Sequence, residues 1–264
     1  MSSKSIEEEV KLRLECNGVS IIAEYPHLNS KLSAICDSPK FTDWVKGFFD
    51  QKEITLQEFH VTDVDFFGPV NPSRLGFVKG FGIAHDATNG DAIPAIAFIR
   101  GGAVAVLIIV NVVETGAKYV LLCKQLRFPS GGMKVEACAG MVDHRTATVV
   151  GVAFNEVKEE TGFVITESDL IQLGQITPSA GGCDEIIHLY AWETSINQEE
   201  FEEKQRKVYG EGQYEKIKLL FYPFDKFDDV LDQIGDVKAE CCWRRYLNFL
   251  KRNCRASLSA TETA

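Results

Sequence analysis

The chain has 264 residues, which at roughly 150 per domain suggests one large domain or a modest one with an appendage. Hydrophobic residues at 45% and charged residues at 25% fit a globular protein and exclude a disordered, collagenous or coiled-coil chain, and the longest apolar stretch, Ala103 to Val113, is about half the length of a membrane-spanning helix. A net charge of -10, from 28 Lys and Arg against 38 Asp and Glu, argues against a surface that neutralises nucleic-acid phosphates, so neither a nucleic acid nor a membrane is expected as a partner.

The N-terminus, MSSKSIEEEV, has neither the apolar core of a secretory signal nor the Arg-rich character of a transit peptide, which points to the cytoplasm. The eight cysteines are irregularly spaced and include no C-x2-C pair; they read as reduced thiols, not as a disulfide framework or a zinc site. In chain order, the first fifteen residues are charged and read as frayed. Phe41, Trp44, Val45 and Phe48 recur at helical spacing, and Ile54 to Phe67 reads as a strand. Leu75 to Ile83 and Ile93 to Ile99 flank the turn-rich DATNGD, a hairpin signal, and two buried strands follow at Ala103 to Val113 and Lys118 to Gln125. Val149 to Thr161 reads as a helix, with Gly162 where a C-cap needs positive φ. Next come a strand at Glu185 to Trp192, a charged run Gln198 to Lys207, a strand at Lys216 to Tyr222 and helical patterns at Phe227 to Ile234 and Ala239 to Arg252. The class is α+β.

The sharpest chemical feature is NEVKEETGF, Asn155 to Phe163. On a helix, Glu156, Glu159 and Glu160 share one face at i, i+3 and i+4. Three carboxylates so placed repel unless a cation sits among them, and hard oxygen ligands suit Mg²⁺ or Mn²⁺. A solvated acidic face is the competing reading.

Gly140, Glu156, Val157, Glu159, Glu160, Gly162 and Phe163 resemble the Nudix box, G-x5-E-x7-R-E-U-x-E-E-x-G-U with U aliphatic or aromatic. There are two departures. Asn155 stands where the family has arginine, and the gap after Gly140 is one residue longer, so the first glutamate falls on Thr146 or Ala147. The order FIRGGAVAVLIIV, CKQLRFPSGG, VEACAGMVD, box and PSAGGCDE, with DWVKGFF and VDFFG upstream, resembles the ADP-ribose and sugar-nucleotide diphosphatases over roughly residues 35 to 250. Within that branch it is most similar to plant-type ADP-sugar diphosphatases.

That resemblance implies a Nudix α/β/α sandwich with an N-terminal β-rich segment. It assigns 1–100 to dimerisation and part of a nucleotide pocket, 101–252 to the Nudix hydrolase domain and 253–264 to a flexible tail. It implies a homodimer and Mg²⁺- or Mn²⁺-dependent cleavage of a nucleoside diphosphate sugar, with ADP-glucose, UDP-glucose and ADP-ribose the candidates, to nucleoside monophosphate and sugar 1-phosphate. Metal would be held by Glu156, Glu159, Glu160 and the Ala139 carbonyl. Arg100, Arg127, Glu136 and Glu185 would contact substrate; a guanidinium can fork two phosphate oxygens, the competing readings being a strand-end surface charge for Arg100 and a turn residue for Arg127. Glu215 is the first candidate for the base and Glu211 the second, both also readable as solvated loop acids. His144 reads as an exposed loop histidine, and Cys183 has no neighbouring base to make it a nucleophile. A Nudix-fold nucleotide sensor without turnover is the alternative, favoured by Asn155 and the absent first glutamate.

Overall fold

A computed structural model describes residues 11–142, 148–210 and 215–261. The chain divides into two compact units, the first formed by Met1–Gly101 with Ser179–Glu185 and the second by Gly102–Pro178 with Ile186–Ala264.

In the first unit, strands β1 (Arg13–Cys16) and β2 (Val19–Ala23) form a hairpin, where frayed chain was expected up to residue 15. Asn17 and Gly18 turn it, both at positive φ (48° and 80°), the pairing that matches the twist of the flanking strands. Helices α1 (Leu32–Cys36) and α2 (Pro39–Asp50) follow. The expected periodicity of α2 holds, with Phe41 and Val45 fully buried and Trp44 packed edge-on against Phe59. Strands β3 (Ile54–Phe66), β4 (Leu75–Asp86) and β5 (Ile96–Ile99) complete a sheet of order β1-β2-β3-β4-β5 among the described residues. Only the β2–β3 pairing in it is parallel. Segment 179–185 runs beside β5, where the Phe98 amide donates to the Gly182 carbonyl at 3.3 Å.

The second unit contains β6 (Ala103–Val112), β7 (Lys118–Arg127), β8 (Gly132–Glu136), β9 (Cys138–Met141), α3 (Val149–Thr161), β10 (Leu170–Ile176), β11 (Ile187–Ile196), α4 (Gln198–Arg206), β12 (Val208–Tyr209), β13 (Ile217–Pro223), α5 (Phe227–Ile234) and α6 (Val237–Thr261). Its sheet has the order β10-β11-β6-β7-β13-β12, with β8 on β7 and β9 on β6. Alternation along β6 and β7 sends side chains to two layers. Val104, Val106, Ile108, Leu121 and Cys123 pack with α3 and α4, whereas Ala105, Leu107, Ile109, Val120 and Leu122 pack with α5 and α6. A sheet with helices on both faces is the expected α/β/α sandwich. Helix α6 continues past Arg252 to Thr261, through residues without glycine or proline to interrupt it.

One irregularity positions the chemistry. Strand β6 pairs with β7 over Ile108–Asn111, but over Ala103–Val106 its neighbour on the same side is β9, because the second half of β7 turns away to pair with β8. This split opens beside the end of α3.

Candidate active site

Helix α3 starts where the Thr148 hydroxyl accepts the Gly151 amide at 3.2 Å, and ends at Gly162, whose φ of 71° is the left-handed cap its sequence position called for. Between them Val152, Ala153 and Val157 are buried against β6 and Asn155 and Lys158 are exposed on the far side; Glu156 and Glu159 lie half-buried beside the packed face, and Glu160 faces into the split sheet. Two contacts fix the helix end. The Gly210 amide donates to the Glu159 carbonyl at 3.2 Å, and Lys204 of α4 donates to the Thr161 carbonyl at 3.0 Å while its ammonium lies 3.6 Å from the centre of the Phe163 ring.

Glu160 is 3% exposed. Its carboxylate accepts from the Gln125 amide at 3.0 Å and from the Ala139 backbone N–H at 3.1 Å. Burial nonetheless raises its carboxyl above the ordinary value, against those hydrogen bonds and the nearby Arg127 charge. Glu156 is pushed up to about 8, first by burial and then by repulsion from Glu160, Glu159 and Glu215. Its carboxylate lies against Gly140, where any Cβ would overlap it. The box glycine thus leaves room for the Glu156 carboxyl by lacking a Cβ, and its backbone angle plays no part. A cation among these carboxylates would relieve both the desolvation and the repulsion, and the donor set of hard oxygens fits Mg²⁺ or Mn²⁺. Glu215 is exposed, near enough to repel Glu156 and attract Arg127.

Arg127, at the end of β7, does not stand alone. Its Nε donates to Glu136 at 2.6 Å, and Glu136 also accepts from Lys238 Nζ at 2.9 Å. Lys238 in turn donates to Asp236 at 2.8 Å, whose other oxygen takes the Ala137 and Ala239 amides at 2.9 and 3.1 Å. Burial alone would raise the Glu136 carboxyl, but the Lys238 and Arg127 cations outweigh it and hold it below its ordinary value. Sequence reading did not single out Gln125, Lys238 or Asp236. Asp236 had a visible signal, since it follows a helix-ending glycine and precedes an apolar helical run, as a capping residue does.

In the first unit, Arg100 pairs with Glu185 at 3.1 Å, and the Asp184 carboxylate accepts the Arg100 amide at 2.7 Å. Arg100 Nε is buried without a hydrogen-bond partner among the described residues. Asn155 is exposed on α3, and Cys183 directs its thiol to the Ser179 carbonyl at 3.7 Å. His144, Thr146, Ala147 and Glu211 lie outside the described residues.

No model of a known protein family matches the chain. Among individual proteins, it is 30% identical to "Nudix hydrolase 14, chloroplastic" of Arabidopsis thaliana over 240 aligned residues, spanning 84% of this chain and 76% of that relative. It is 39% identical to "Putative nudix hydrolase 2" of Caenorhabditis elegans over 66 residues, 25% of this chain and 29% of the relative. Among solved structures, one described as the crystal structure of an ADP compounds hydrolase superposes with a TM-score of 0.51 at 16% identity, over 75% of this chain and 97% of that one, which supports the fold. With the box residues gathered at the end of α3 and a relative aligned over most of both chains, the chain belongs to the Nudix hydrolase family.

Proposed function

We propose that this Nudix hydrolase cleaves the diphosphate bond of nucleoside diphosphate sugars, with ADP-glucose, UDP-glucose and ADP-ribose the candidate substrates, to nucleoside monophosphate and a sugar phosphate, the 1-phosphate from the two glucose compounds and the 5-phosphate from ADP-ribose. The observation that carries the reading is the gathering of Glu156, Glu159 and Glu160 on one face at the end of α3, where burial raises two of the carboxyls, beside a guanidinium on a buried carboxylate. The ADP compounds named for the structural neighbour have the same diphosphate chemistry.

Glu156, Glu159, Glu160 and the Ala139 carbonyl would hold Mg²⁺ or Mn²⁺, which when bound supplies charge neutralisation for the phosphates and acidifies a water. The chain's own groups do the rest. Glu136 and Lys238 fix Arg127 through its Nε, leaving the terminal nitrogens to contact phosphate oxygens. Glu215 accepts the proton of the attacking water at its exposed carboxylate. Arg100 is assigned a further phosphate contact, with Glu185 orienting it. A homodimer built on the N-terminal strands belongs to this reading, supported by the exposed apolar side chains Phe67, Phe81, Ile83, Ile96 and Phe98 of the first unit.

Among the described residues, no helix is long and apolar enough to cross a membrane. Cytoplasmic residence is part of the proposal, and a fluorescent fusion imaged in its own cells tests it against the chloroplast named for the Arabidopsis relative. The activity test is release of nucleoside monophosphate from the three candidates with Mg²⁺ or Mn²⁺, with Glu160→Gln as the control for contaminants. Metal-dependent release absent from the control bears out the hydrolase reading. Tight binding without release from any of them would overturn it in favour of the sensor that Asn155 suggests.

A further inference from the structure

Cysteine spacing in the sequence showed no metal site, but the fold brings together two thiols that lie fifteen positions apart. Cys123 on β7 and Cys138 on β9 meet at the split in the sheet, on the face that packs against α3. Both are fully buried. Their sulfurs and a Glu160 carboxylate oxygen lie within 4.8 Å of one another. Buried cysteines usually serve as small apolar side chains packed among hydrocarbon. This pair instead lies beside a buried carboxylate. Tetrahedral Zn²⁺ with Zn–S bonds of about 2.3 Å places its ligand atoms about 3.8 Å apart, so closing the trio onto an ion asks each atom to move by about an ångström or less.

We propose that Cys123, Cys138 and Glu160 form a buried site for a thiophilic divalent cation of the Zn²⁺ or Cd²⁺ type. Binding breaks two S–H bonds and forms two metal–thiolate bonds. Both protons go to solvent, and no electron is transferred. Thiolates select soft ions where carboxylates and water select Mg²⁺ or Mn²⁺, so the two kinds of ion are sorted by ligand type within a few ångströms. Glu160 belongs to both sets. Occupation of the thiol site therefore withdraws it from the hard-ion cluster and inhibits hydrolysis, a consequence that rests on the proposed metal role of Glu160. The site itself does not depend on that role.

The test adds Cd²⁺ to the metal-free full chain and follows the ultraviolet thiolate-to-cadmium charge-transfer band. The wild type is expected to gain the band with one ion per chain, Cys123→Ser and Cys138→Ser each to lose it, and Cys241→Ser to keep it. A band equally strong in either of the first two variants, or none in the wild type, overturns the site. X-ray absorption on Zn²⁺-loaded wild type needs no variant, so a substitution that fails to fold leaves the proposal testable: two sulfur scatterers at about 2.3 Å support it, and oxygen and nitrogen alone overturn it. In the Mg²⁺-supported assay, the Zn²⁺ concentration for half-inhibition should rise by about tenfold or more in each serine variant, since losing a direct ligand costs at least what losing a supporting residue does. An unchanged midpoint overturns the inhibitory role and leaves the site standing. Absence of hydrolysis altogether defeats the proposed function, while the two spectroscopic arms still decide the site.

Discussion

The two faces of the central sheet are drawn from the same strands yet are built on different terms. Against α5 and α6, the layer is closed by aromatic side chains, with Phe227, Trp243 and Tyr246 almost wholly buried and the Phe227 and Trp243 rings 5.0 Å apart. Against α3, the layer admits a carboxylate, two thiols and a primary amide. Close packing of large rings gains dispersion and area burial without needing a partner ion. A buried carboxylate cluster costs stability until something cationic joins it. The sandwich thus places the Glu156, Glu159 and Glu160 cluster in one layer and the aromatic packing of α5 and α6 in the other, although successive residues of one strand contribute to both and Lys238 of α6 reaches Glu136.

That division predicts which substitutions affect activity and which affect stability. Glu160→Gln should lower turnover by about a thousandfold, some 4 kcal/mol of barrier, with circular dichroism unchanged. Full activity in that variant would remove the metal assignment. Phe227→Ala in the other layer should cost about 3–4 kcal/mol in denaturant unfolding while the folded fraction keeps its kcat; a loss of kcat at saturating folded protein would show that the layers are not separate. Gly140→Ala displaces the Glu156 carboxylate and should cut kcat by about a hundredfold, a misplacement effect measurable alongside weaker Mg²⁺ binding by calorimetry.

The smallest effect, about 2 kcal/mol, is expected for Lys238→Met, and it should depend on pH. Glu136 is held below its ordinary value of 4.5, so the stability it draws from its cations is present above that range and lost as pH falls through its folded-state value. Removing Lys238 leaves an ionised carboxylate short of one partner. The deficit relative to wild type should be largest near neutrality and narrow as pH falls through the lowered wild-type value, beneath which Glu136 is protonated in both proteins. A constant deficit across that window would mean that Lys238 acts through packing alone.

Much of the second unit was legible in the sequence because its signals are local. The apolar run of β6, the spacing of Glu156, Glu159 and Glu160 and the Gly162 cap each lie within one element and appear where they were expected. The β1–β2 hairpin also had a local signal, Asn17-Gly18, but it was masked by the charged residues before it. Helix α4 looked like a plain charged run. Its cap is the Asn197 side chain accepting the Glu200 amide at 2.8 Å, and Glu200, Glu202 and Glu203 pair with Lys204, Arg206 and Lys207 at i,i+4. What could not be read was non-local. The Gln125–Glu160 bond, the Lys238–Glu136–Arg127 chain and the meeting of Cys123 with Cys138 all depend on which strand follows which at the split, and no window of sequence contains that information.

The split also leaves β9 with an outer edge that no described strand covers, and exposed strand edges invite pairing with other chains. Here a side chain takes the place of the missing strand, for the Ala139 amide that a neighbouring backbone would have received is taken by Glu160. The carboxylate is thus a stopper for an unfinished sheet, apart from the metal role proposed for it. Gln at position 160 keeps a carbonyl oxygen that can still receive the amide, whereas Ala leaves the edge open to adhesion between molecules. Light scattering of Glu160→Ala against Glu160→Gln at matched concentration would show self-association in the first and not in the second.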